Sequence, residues 1–162
     1  MNAIAIVDRN LGLGRDGKLL AHLPSELKYF REKTLGKTIV IGRGTYESMS
    51  GNLLPDRETV ILSRDASFNP PCQVFRSLEE ALDYLKSKPD DDIFVAGGES
   101  VYRLFYPYCD RFFITKLYAA FDADRRFPNL DENPNEFSVK ELSGIIEENG
   151  FEYQFFEYTR VK

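Results

Sequence analysis

Five short runs of apolar, mostly β-branched or aromatic residues organise this chain: Ala3-Ile4-Ala5-Ile6-Val7, Thr38-Ile39-Val40-Ile41, Thr59-Val60-Ile61-Leu62, Ile93-Phe94-Val95-Ala96 and Phe112-Phe113-Ile114-Thr115. Each is apolar at consecutive positions rather than alternate ones. That is the pattern of a strand buried on both faces, in a sheet covered by helices on each side. Segments with helical spacing lie between the runs. One opens at Pro24, a favourable first helical residue, and carries Leu27, Phe30 and Arg31. Others run from about Gly44 to Met49, from Ser77 as N-cap through Leu78, Ala81, Leu82 and Leu85, and from Glu99 through Val101, Leu104 and Phe105. The alternation predicts an α/β fold with an open, mostly parallel sheet and helices on both faces. The end of the chain differs. Phe151 to Thr159 alternates with period two after the turn residue Gly150, which predicts an antiparallel hairpin added to one edge.

No repeat, low-complexity segment or Ser/Gly-rich linker interrupts the 162 residues, so a single domain over 1–162 is expected. With 43% apolar residues, a chain of this length makes a core without disulfides or a structural metal. Cys72 and Cys109 have no CxxC spacing and His22 is the only histidine, which speaks against zinc, a Cys-His nucleophile pair and a disulfide framework. Against 21 basic residues stand 26 acidic ones, a formal charge of −5 that does not suit a non-specific nucleic-acid binder. Asp8, Arg9, Arg15, Asp16 and Lys18 interrupt the first twenty positions, and no later stretch approaches a membrane span. The chain reads as soluble and cytoplasmic, with neither nucleic acid nor membrane as partner.

In open α/β sheets, ligands bind beyond the carboxyl ends of the strands. Two strand-to-helix turns there are glycine-rich: Ile41-Gly42-Arg43-Gly44-Thr45 and Val95-Ala96-Gly97-Gly98-Glu99-Ser100. Glycine lets backbone amides approach a phosphate, and the following helix presents its free N–H groups. Neither turn is a complete GxGxxG or Walker A loop, and each alone also reads as a plain tight turn. Arg43 and Arg64 each follow a strand. If those strand ends are neighbours, both guanidinium groups converge with the hydroxyls of Thr45 and Ser63 on a phosphomonoester; otherwise they are solvated surface arginines.

Glu26 is the most informative acid. At the third helical position its carboxylate can simply satisfy free amides. Phe30 lies four residues on, however, and Leu23 and Leu27 flank the carboxylate, which places it on the apolar side. Burial there raises its pKa and makes it a proton donor near neutral pH. His22 has no acid at triad-like spacing and reads as a loop histidine. The aromatics from Phe151 to Tyr158 read as core and sheet surface, because no basic groove accompanies them.

Ordered motifs nearly throughout the chain resemble the dihydrofolate reductases of the bacterial chromosomal type. They are Gly12-Leu13-Gly14-Arg15-Asp16-Gly17, His22-Leu23-Pro24-Ser25-Glu26-Leu27-Lys28-Tyr29-Phe30, Gly42-Arg43-Gly44-Thr45-Tyr46-Glu47-Ser48, Leu54-Pro55-Asp56-Arg57, Ile61-Leu62-Ser63-Arg64, Ala96-Gly97-Gly98-Glu99-Ser100-Val101-Tyr102, Ile114-Thr115 and Phe127-Pro128. The resemblance implies a central eight-stranded sheet with about four helices. It also implies NADPH-dependent reduction of 7,8-dihydrofolate, with hydride transfer to C6 and protonation at N5. Glu26 matches the acid that grips the pterin 2-amino group and N3, and Thr115 the threonine that hydrogen-bonds it. Arg57 matches the arginine that takes the glutamate α-carboxylate of the substrate. Ile4, Ala5, Leu27, Lys28, Phe30, Met49 and Leu54 complete the implied substrate site, which antifolate inhibitors would share.

For NADPH, the resemblance implies that Gly97 and Gly98 let the backbone approach the pyrophosphate, beside Glu99, Ser100, Val101 and Tyr102. Arg43, Thr45, Ser63 and Arg64 match the adenosine-phosphate cluster, which favours NADPH over NADH, and Gly42, Gly44 and Leu62 are further implied cofactor-binding residues. Ile6, Leu13 and Ala96 would border the nicotinamide, and Gly14 is a further implied cofactor-binding residue. The segment from Leu11 to Ala21 resembles the family's mobile active-site loop, and Asp124 matches the acid that in some members holds it shut. A monomer is implied. There are two departures from the pattern: Leu20-Ala21 stands where the family usually has Pro-Trp, and Glu99 lies close to the expected phosphates. The missing indole leaves two other readings open, a same-fold NADPH reductase of another pterin or pyrimidine-like substrate and a non-catalytic pterin- or nucleotide-binding protein.

Overall fold

A computed structural model describes residues 1–14 and 23–162. In chain order its elements are β1 (Asn2–Val7), β2 (Gly12–Gly14), α1 (Pro24–Thr34), β3 (Thr38–Gly42), α2 (Arg43–Ser48), β4 (Glu58–Leu62), β5 (Gln73–Phe75) and α3 (Leu78–Leu85). There follow β6 (Ile93–Gly97), α4 (Glu99–Phe105), β7 (Arg111–Leu117), β8 (Arg125–Arg126), β9 (Phe137–Glu141), β10 (Ile146–Glu148) and β11 (Phe151–Arg160). The main sheet follows the path β10-β11-β7-β1-β6-β3-β4-β5, and β9 also pairs with β11. Every pairing from β7 to β5 is parallel, whereas β11 runs antiparallel to β7, β9 and β10.

The order of the strands explains why helices cover both faces. From β1 through β3 and β4 the chain crosses the sheet in one direction, and through β6 to β7 it returns in the other. Parallel crossovers keep one hand, so connections running in opposite directions lie on opposite faces. Ala3, Ala5, Val40, Val60, Val95, Phe112 and Ile114 accordingly pack with Ala81 and Leu85 of α3 and Val101, Tyr102 and Phe105 of α4. On the other face, Ile4, Ile39, Phe94 and Phe113 meet Tyr29 and Phe30 of α1, while Ile41 and Ile61 meet Tyr46 of α2. Consecutive strand residues are thus buried on alternate faces, each of the larger side chains (Val, Ile, Phe) contributing about 1.5–3 kcal/mol.

The C-terminal hairpin is formed by β10 and β11, with Asn149 and Gly150 both at positive φ in the manner of a two-residue I′ turn. Although the sequence alternates there, Tyr153, Gln154, Phe155 and Phe156 are all buried. Tyr29 of α1 stacks on Phe155 with centroids 3.9 Å apart, and on the opposite face Phe156 and Tyr158 join the cluster of Phe112 and Phe137. Strand β2 pairs with β8, and the Asp124 backbone N–H donates to the Gly14 carbonyl at 3.0 Å. The rest of the expected mobile segment, with Ala21 and His22, lies outside the described residues. Among the described residues no helix is long and apolar enough to cross a membrane.

Candidate active site

Helix α1 inverts the usual amphipathic pattern: its buried residues are the polar Glu26 and Thr34, whereas Leu27 is 42% exposed. Buried polar groups beside exposed large apolar ones are the informative combination on a protein surface. The helix begins after Leu23, which offers no side-chain cap. Glu148 of β10 supplies one, accepting from the Ser25 N–H at 3.0 Å, from Ser25 Oγ at 2.6 Å and from the Tyr153 hydroxyl at 3.3 Å. Glu26 itself faces β7. Thr115 Oγ1 donates to Glu26 Oε1 at 3.5 Å, and its strand position lies between Ile6 of β1 and Phe155 of β11. Burial pushes the Glu26 carboxyl up to about 7, against the opposing effect of the Thr115 hydrogen bond. No cation pairs with Glu26 among the described residues.

Beyond the C-terminal end of α1, Arg57 is held by neutral acceptors only. Nε donates to Thr34 Oγ1 at 2.8 Å, Nη1 to the Pro55 carbonyl at 2.8 Å and Nη2 to the Arg31 carbonyl at 3.3 Å. Burial and then the neighbouring Arg31 lower its pKa, against the smaller opposing effect of Asp56, which no ion pair joins to the guanidinium among the described residues. The guanidinium is fixed in place and can take a carboxylate.

The third group lies across the carboxyl ends of β3, β4 and β6. Gly42 pairs with Leu62, so Arg43 and Ser63 follow adjacent strand ends. Gly97 has φ +122°, and a Cβ built there would stand 3.5 Å from Thr45 Oγ1 and from the Tyr102 hydroxyl; one on Gly98 would stand 3.6 Å from Thr45 Oγ1. The Gly97-Gly98 bond is cis. This leaves a side-chain-free backbone turn facing a hydroxyl and opening onto α4, with the arginines of the neighbouring turns beside it, a cradle suited to phosphate groups.

Residues 1–160 match the family model described as dihydrofolate reductase. The chain belongs to the dihydrofolate reductase family. The dihydrofolate reductase of Bacillus subtilis (strain 168) is 36% identical over 159 residues, covering 97% of this chain and 92% of its own length. That of Staphylococcus haemolyticus is 32% identical over 165 residues, covering 100% and 96%. A solved structure described as dihydrofolate reductase from Enterococcus faecalis complexed with NADP(H) and RAB-propyl superposes with a TM-score of 0.83 at 31% identity, covering 99% of this chain and 96% of that one.

The motif residues that carry the resemblance to dihydrofolate reductases do not all reach one crevice with their side chains. Ile4, Phe30, Leu54 and Ala96 share the face that holds Glu26, and Met49 borders the adjoining cluster. Ala5 points to the opposite face, so only its backbone can border the site. Leu27, expected to flank the carboxylate on the apolar side, is exposed like Lys28, because the helix turns Glu26 and Thr34 toward the sheet. Ile6 packs with Leu23 and Leu117 in a cluster beside Thr115, and Leu13 and Leu62 edge the main core.

Gly14 is buried at the end of β2, Gly44 has open space around it, and Ser100 and Arg64 are exposed. Val101 comes within 3.0 Å of where a Gly42 Cβ would be, which makes Gly42 a close-packing residue. The Tyr102 hydroxyl is committed to the Ile4 carbonyl at 2.6 Å. Glu99 is engaged by Arg103 at 3.4 Å along α4, which accounts for an acid at that position.

Four residues with no role assigned from the sequence matter to these groups: Glu148, Thr34, Glu47 and Asp65. Glu47 stands four residues after Arg43, a spacing that could have revealed it. Tyr29, one turn after Glu26, keeps a buried hydroxyl without a hydrogen-bond partner among the described residues.

Proposed function

We propose that this chain reduces 7,8-dihydrofolate to 5,6,7,8-tetrahydrofolate with NADPH, acting as a cytoplasmic monomer open to antifolate inhibitors. The observation that carries the reading is the Glu26 carboxyl, buried against β7 with Thr115 Oγ1 at 3.5 Å, uncompensated by any cation among the described residues and beside the exposed Leu27; burial pushes it up to about 7. Such a group holds a proton at working pH and still has oxygens to accept from a ligand. Glu26 accepts from the pterin 2-amino group and N3 and promotes protonation at N5. Thr115 orients the carboxyl and limits how far burial raises its pKa. Ile4, Phe30, Met49, Leu54 and the exposed Leu27 contact the pterin and the aminobenzoyl ring. Arg57 takes the α-carboxylate of the glutamate tail, a role that favours dihydrofolate over tail-less pterins.

The glycine turn at 97–98 and the arginine-bearing ends of β3 and β4 fit a phosphorylated dinucleotide. When bound, NADPH supplies the hydride. Gly97 and Gly98 admit the pyrophosphate, while Arg43, Thr45, Ser63 and Arg64 hold the ribose phosphate. Ile6, Leu13 and Ala96 exclude water around the nicotinamide. The test is the fall in NADPH absorbance on adding the protein and 7,8-dihydrofolate, with NADH in parallel and methotrexate as inhibitor. Inhibitable turnover that prefers NADPH is expected; turnover of a tail-less pterin alone would move the substrate elsewhere within the fold.

A further inference from the structure

Arg43 stands where the proposed cofactor carries its ribose phosphate, yet two carboxylates already hold it. Nε donates to Glu47 Oε1 and Nη1 to Asp65 Oδ2, both at 2.6 Å, and the guanidinium carbon lies 4.7 Å from the centre of the Phe68 ring. Asp65 is not a loose surface acid. Its Oδ1 accepts from the Ser67 N–H at 2.9 Å and from Ser67 Oγ at 2.6 Å, closing an Asx turn just after Ser63 and Arg64. Arg76 donates to the Asp65 carbonyl at 2.6 Å and fixes the backbone as well. The turn thus points one carboxylate oxygen inward and the other at Arg43.

We infer that Asp65 sets the margin by which this chain distinguishes nucleotides with a ribose 2′-phosphate from those without one. The inference rests on the cofactor reading above. A dianionic phosphate at Arg43 and Arg64 must either displace Asp65 or lie beside its charge, and both lower the gain. A ribose with a free 2′-hydroxyl meets no such repulsion and can donate to a carboxylate. Arg64 makes no ion pair among the described residues, so no carboxylate competes for it there and the cluster still favours phosphate, by a reduced factor. Side-chain exposures of 44% for Arg43 and 45% for Asp65 mean solvent and salt screen the effect.

Calorimetric titration of the protein with 2′,5′-ADP and with 5′-AMP tests this without turnover. Asp65→Asn keeps an oxygen acceptor for Ser67 and removes the charge. It is expected to bind 2′,5′-ADP about three- to tenfold more tightly at low salt, with 5′-AMP changed less than about twofold and the gain shrinking at about 0.5 M salt. Glu47→Gln, which leaves the Asx turn untouched, shifts binding in the same direction and carries the test if Asp65→Asn lowers the melting temperature. Unchanged 2′,5′-ADP binding in both variants overturns the inference. Weaker binding does too, since it makes the acids supports of Arg43 rather than competitors. If the parent chain binds the two nucleotides equally, the cofactor reading fails first and takes this inference with it.

Discussion

Thr115 Oγ1 stands 3.5 Å from Glu26 Oε1, joining β7 to the first turn of α1 across 89 residues. The contact links the fold to the proposed chemistry, because the sheet position of Thr115 decides which helical residue is buried against it. Removing the hydroxyl takes away an interaction that lowers the Glu26 pKa. Thr115→Val is therefore predicted to move the alkaline limb of the rate profile to higher pH, with a stability change of about 1 kcal/mol. An unmoved limb would detach Thr115 from the acid.

Folding raises Glu26 from 4.5 to about 7. Between those values the folded chain holds a proton that the unfolded chain releases, so stability falls as pH rises from about 4.5 to about 7 and levels off above. The size is about 3 kcal/mol. Glu26→Gln removes this dependence and is predicted to be more stable than the parent at pH 8 while losing turnover. Urea unfolding at pH 5 and pH 8 measures it; equal parent and variant stabilities at both pH values would show that the carboxyl is not raised.

Arg57 is oriented by Thr34, Pro55 and Arg31 rather than by an acid. Arg57→Ala is predicted to raise KM for dihydrofolate roughly a hundredfold, the scale of losing a fixed carboxylate partner, while a tail-less dihydropterin is little affected. Arg57→Lys recovers only part, because lysine lacks the fork. Steady-state kinetics with both substrates decide the point.

The helix that carries Glu26 takes its cap from a distant hairpin, through Glu148 and Ser25. Glu148→Ala is predicted to cost about 1 kcal/mol and to speed amide exchange in the first turn of α1. Unchanged exchange at residues 25–27 would remove Glu148 from the account.

The parts of the fold that could be read from the sequence are those in which burial leaves a local signature. The continuous apolar runs mark β1, β3, β4, β6 and β7, since both of their faces are covered. Strand β9 buries only Phe137, and β8 is Arg125-Arg126; they are strands because β11 and β2 pair with them, which no local pattern reveals. The adjacency of the strand ends at Arg43 and Arg64 is left open by the sequence, because consecutive strands need not pair: β6 separates β1 from β3, whereas β3 and β4 are neighbours. The capture of Arg43 by Asp65 across 22 residues, and of Ser25 by Glu148 across 123, depends on tertiary placement alone. Leu27 shares the spacing of a core residue and still faces outward, because the polar Glu26 takes the sheet-facing position.

The most direct test is the pH dependence of hydride transfer from NADPH to dihydrofolate in single turnover, for the parent and for Glu26→Gln. The parent rate should fall about tenfold per pH unit above about 7. The variant should be slower by about a hundredfold near neutrality and show no titration there. A variant that kept the parent rate at pH 7 would contradict the role given to Glu26.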